Sequence, residues 1–113
     1  MKTDLSYLKE MSAGNEDLMN EMISIFKEQI QEFRPQMTSL YEQEDYDKLA
    51  KLFHKAKSSV SIMGLTELGA ELKQFELDTA SGKGLERIPS FLEKFNTETR
   101  LAVEELNEFQ NRK

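Results

Sequence analysis

Apolar residues recur at intervals of three and four through almost the whole chain and do not alternate with polar ones, so the pattern predicts helices and no sheet. The stretch Asp4-Leu-Ser-Tyr-Leu-Lys-Glu-Met11 has Leu5 and Leu8 at helical spacing and ends in Ser12-Ala13-Gly14; it predicts a short helix that acts as a lid. Asn15 then suits an N-cap, with Glu16 and Asp17 at the positive end of a long helix. Its Leu18, Met22, Ile25, Phe26, Ile30 and Phe33 keep period to about Glu42. Pro35 interrupts that run, and a kink, a break or two shorter helices are all allowed there. Glu44-Asp45 turns the chain into a third segment, Tyr46 to Met63, closed by Gly64; Thr66 can cap a fourth that runs to about Ala80. After the loop Ser81-Gly82-Lys83-Gly84 a last helix places Ile88, Phe91, Leu92, Phe95, Thr99, Ala102, Val103 and Leu106 on one face, with Pro89 in its first turn. Asn107 to Lys113 should fray.

Four amphipathic helices and a lid must bury their stripes against one another, so the expected fold is all-α, an antiparallel four-helix bundle with a short N-terminal lid helix. Composition narrows this only a little. At 113 residues, one domain over residues 1–113 is expected. Fifteen Lys and Arg against 21 Asp and Glu leave a net charge of -6, the wrong sign for nucleic acid. With no cysteine, thiolate chemistry and cysteine-held metals are excluded. No apolar run approaches the roughly 20 residues that span a bilayer, and Met1 to Glu10 lacks the regions of a signal peptide. A cytoplasmic protein away from membranes is expected.

The reactive chemistry is expected on the third helix. Leu49, Leu52, Phe53, Ala56, Val60 and Met63 share one narrow arc and form a core stripe. His54, the single histidine, falls on the opposite side, beside Ala50 at i-4, Ser58 at i+4, Ser61 at i+7 and Lys57 at i+3. Its neighbours are small, so the ring should stand clear where another protein can close over it. A neutral imidazole is about the best nitrogen nucleophile available near neutral pH and can accept a phosphoryl group. Lys57, one turn on, can neutralise part of the charge on that group. A surface histidine near a lysine is also common with no role at all.

The stretch Phe53-His-Lys-Ala-Lys-Ser-Ser-Val-Ser-Ile-Met-Gly-Leu65 resembles the motif of histidine-containing phosphotransfer (HPt) domains, a phospho-accepting His followed three residues on by Lys, then small residues, then Gly. Asp4-Leu-Ser-Tyr-Leu with Ser12-Ala-Gly-Asn-Glu-Asp-Leu18, and Leu68-Gly-Ala-Glu-Leu72 with Phe75-Glu76, extend the likeness over about residues 4 to 106. The resemblance implies that His54 carries the phosphoryl group, that Lys57 supports it, and that Ser58, Ser61 and Gly64 fill the small positions. There are departures. Ser58 stands where the family usually has Gly, Ala56 where it has a larger apolar residue, and Phe53 where it has a small one.

No glycine-rich phosphate loop, Walker pattern or kinase signature is present, so the chain is not expected to be an enzyme that uses ATP itself. A di-iron bundle fails as well, since position 51 is Lys51 and there is one His. On the resemblance, a receiver domain with its own Mg²⁺ and phospho-aspartate docks on His54 and a second receiver removes the group; no cofactor belongs to this chain, and a monomer is expected. An adaptor that binds receivers without accepting phosphate is the alternative. The apolar residues of the second helix spread wider than the roughly 100° a core stripe needs, which predicts an exposed docking edge at Met19 and Ile23 unless Tyr7, Leu8 or Met11 of the lid covers it.

Overall fold

The computed structural model describes residues 3–111. Helix α1 spans Ser6–Ser12, and the Asp4 carboxylate accepts from the Ser6 N–H at 3.0 Å at its start. Helix α2 spans Glu16–Glu42, with the Asn15 side chain accepting from the Leu18 N–H at 3.1 Å as expected of an N-cap. It runs unbroken through Pro35. The two-helix alternative therefore falls away: Pro35 and Gln31 both face outward, where water can satisfy the Gln31 carbonyl that proline leaves without a partner. Helix α3 spans Tyr46–Ile62, capped by Asp45, which accepts from the Lys48 N–H at 3.3 Å.

Helix α4 spans Thr66–Ala80, and Thr66 does not cap it. The N-cap position is Leu65; Thr66 is already helical and its hydroxyl donates back to the Gly64 carbonyl at 3.4 Å. A 3₁₀ turn at Leu85–Arg87 leads into α5, Ile88–Asn111. The helix thus continues past Leu106 instead of fraying. Its polar end is tied to α2: the Lys27 ammonium donates to Asn107 and, at 2.7 Å, to Gln110, and Gln110 donates to Asn20 at 3.1 Å.

Connections of three residues join α2 to α3 and α3 to α4, and seven residues that include the 3₁₀ turn join α4 to α5, so neighbours run antiparallel in a bundle 45 × 20 × 20 Å, and α2 alone covers about 40 Å of its length. The predicted stripe of α3 is buried without exception, from Leu49 to Met63. Phe53 meets Phe75 and Phe91 edge-on, and those two stack with centroids 4.2 Å apart, which locks α3, α4 and α5 together. Thr99, fully buried, donates to the Phe95 carbonyl at 2.7 Å as its place in an apolar face required, and accepts from Arg34 Nη2 at 2.9 Å.

Two glycines set the packing near the end of α3. Gly64 has φ of +77°, and a Cβ there would lie 2.1 Å from the Asp4 carbonyl oxygen, so the chain entering α1 passes directly over it. A Cβ on Gly69 would lie 2.9 Å from Ser61 Oγ, so glycine lets α4 approach α3 closely.

Candidate functional site

Helix α3 presents His54 outward, with 62% of its side chain exposed. Beside it lies a side chain that the helical wheel of α3 could not reveal. Nδ1 is 3.0 and 3.1 Å from the two carboxylate oxygens of Glu76 on α4. An ionised carboxylate only accepts, so in the neutral ring this contact requires the proton on Nδ1 and leaves the Nε2 lone pair free. The register explains the meeting: Gly69 and Ser61 touch across the pair, and in antiparallel helices Glu76, two turns after Gly69, comes opposite His54, two turns before Ser61. The signal was therefore in the sequence, because the turn at Gly64 and Leu65 folds α4 back on α3 and brings residues equidistant from Leu65 face to face.

The small residues predicted around the ring are there. Ala50 is mostly buried yet lines a groove with Asp47, Lys51, His54, Glu76, Leu77 and Ala80 on the α4 side. Ser58 and Ser61 are exposed along the helix line of His54. Lys57 is half-buried, because α4 packs against this flank and the Lys57 carbonyl lies near Gly69. Neither Lys51 nor Lys57 has an ion-pair partner among the described residues. Lys55 leans the other way, its ammonium 5.9 Å from the centre of the Phe33 ring.

The exposed apolar edge of α2 is not at Met19 and Ile23. Met19 and Ile23 are core residues, 5% and 0% exposed, because α1 lays the fully buried Leu8 against the same core. Tyr7 and Met11 stay about half exposed. The apolar edge that α2 leaves open is Leu18, Met22 and Ile25, one to two turns apart. Met22 and Ile25 line a second groove with Lys55, Ser58 and Ile62 of α3, on the opposite side of His54 from Glu76. The imidazole thus stands on a ridge between two shallow grooves.

Over residues 21–109 the sequence matches the family model described as Hpt domain. The chain belongs to the Hpt domain family. That span contains His54, Lys57 and Glu76, whereas α1 and the likeness read in Asp4 to Leu18 lie outside it. Hpt domains are phosphotransfer carriers of phosphorelay signalling that work with receiver domains, and the helical bundle is their architecture. Comparison with curated proteins and with solved structures gave no match. Among the described residues no helix of this Hpt domain is long and apolar enough to cross a membrane.

Proposed function

We propose that this Hpt domain is a cytoplasmic, monomeric phosphorelay carrier that takes a phosphoryl group on His54 from a receiver aspartate and passes it to another receiver. The observation that carries the reading is the pairing of Nδ1 with Glu76, which leaves Nε2 as the outward nucleophile on an exposed ring. The Nε2 lone pair forms the N–P bond as the P–O bond to the aspartyl carboxylate breaks, and the carboxylate departs with those electrons. No proton has to leave the ring. The product carries substituents on both nitrogens and is positive, and Glu76 stabilises that charge through the Nδ1–H. Lys57 faces the phosphoryl oxygens. The Mg²⁺ that assists belongs to the receiver, and this chain contributes neither a nucleotide site nor a cofactor.

The receiver footprint on this reading is the ridge and its two grooves. Ala50, Ser58 and Ser61 let the partner's backbone close on the ring, and Met22, Ile25 and Ile62, instead of the buried Met19 and Ile23, supply the apolar contact. Ser58, in place of glycine, puts a hydroxyl into that contact. A radiolabelled phospho-receiver should leave an acid-labile, alkali-stable label on the wild type and none on His54→Gln. Tight receiver binding with no label on the wild type would instead establish an adaptor.

A further inference from the structure

Charge is distributed unevenly over the bundle. Helix α3 carries Lys48, Lys51, Lys55 and Lys57 against Asp47 alone, whereas α2, α4 and α5 each hold more acids than bases and the whole chain is at -6. The two cations of α2 do not offset this on the His54 side, because Lys27 and Arg34 are both bonded to α5. The four lysines fall within about 14 Å along one helix, with His54 between them; Lys55 leans toward Phe33 and Lys57 lies on the α4 flank, which leaves Lys48 and Lys51 as the pair on the exposed face. Lys48 is 73% exposed and pairs with Asp45 at 3.7 Å, Lys51 is exposed, and Asp47 and Glu76 are the acids that share a groove with the ring.

Resting on the relay reading, we propose that this lysine strip is an electrostatic guide, which selects receivers presenting an acidic face and orients them on His54 before the apolar edge engages. Two acidic proteins repel one another at long range; a local strip of opposite sign makes one approach favourable, chiefly through the rate of association. The strip is one helix wide and bounded by acidic α2 and α4. A duplex or an anionic membrane would have to meet those flanks too, and both would repel it. The geometry fits a compact acidic patch on a protein.

The test uses the His54→Gln protein, which cannot accept phosphate, so that association is read apart from transfer. Its association rate with a panel of receiver domains is measured by stopped flow, alone and with Lys48→Gln/Lys51→Gln or Lys48→Arg/Lys51→Arg added. At about 50 mM salt the glutamine pair should associate about fivefold more slowly, the arginine pair at the parent rate, and the gap should close near 500 mM. Circular dichroism checks that each variant is folded. Equal rates at low salt, or a gap indifferent to salt, overturns the guide. So does lysine-dependent binding to phosphatidylserine vesicles or duplex DNA in preference to every receiver. Failure of wild-type labelling, by contrast, overturns the relay reading and leaves the association data standing.

Discussion

A carboxylate held 3.0 Å from one imidazole nitrogen acts on the other. It fixes the tautomer, stops the ring from turning, and places a negative charge where phosphorylation creates a positive one. Those three effects separate by substitution. Glu76→Ala removes all of them, and the rate of transfer to His54 at saturating receiver should fall about tenfold or more. Glu76→Gln keeps an acceptor oxygen but not the charge, and should fall between alanine and wild type. Nitrogen NMR of the His54 ring supplies the readout that a merely structural glutamate would not move: the Nδ1–H form dominates in the wild type and gives way to a mixture in the alanine variant. Equal rates and identical ring spectra in all three proteins would take Glu76 out of the site.

At the scale of elements, the approach of α3, α4 and the chain before α1 depends on two glycines of unlike sensitivity. Gly64→Ala would combine a positive φ with a Cβ 2.1 Å from backbone that cannot move cheaply, so denaturant unfolding should show a loss of about 3 kcal/mol. Gly69→Ala meets only a hydroxyl that can rotate, and alanine gains about 1 kcal/mol of helix propensity, so its net change should stay within about 1 kcal/mol. The same elements show why part of the structure was legible in sequence. The stripe of α3 and the outward place of His54 follow from helical period alone, because one face of that helix is uniformly apolar. The open edge of α2 does not follow. Its apolar arc is wide, and whether Ile23 or Ile25 is covered depends on which flank the neighbouring elements occupy, a tertiary fact that a single helix does not encode. The end of α5 escaped for a different reason: Asn107 and Gln110 are held by hydrogen bonds across to α2, which leave no apolar period to read.

Across the whole molecule, the hydrogen bonds that close the α2–α5 seam involve no residue that lines either groove beside His54. Stability and transfer should therefore separate when the end of α5 is removed. Ending the chain after Leu106 deletes the acceptors of Lys27, the donor to Asn20, and the half-buried Phe109 that packs on the core. Water replaces much of the lost hydrogen bonding, since each such bond contributes only about 1 kcal/mol net and the seam is partly exposed. A loss of about 1.5 kcal/mol is expected, which for a chain of this size lowers the thermal midpoint by about 6 °C. The labelling rate of His54 at 25 °C should stay within about twofold of wild type, because α3, α4 and the Glu76 contact stay locked through Phe53, Phe75 and Phe91. A truncated chain that melts as expected but no longer accepts phosphate would mean that the seam and the ridge are coupled, and that the bundle transmits strain from its end to its reactive face.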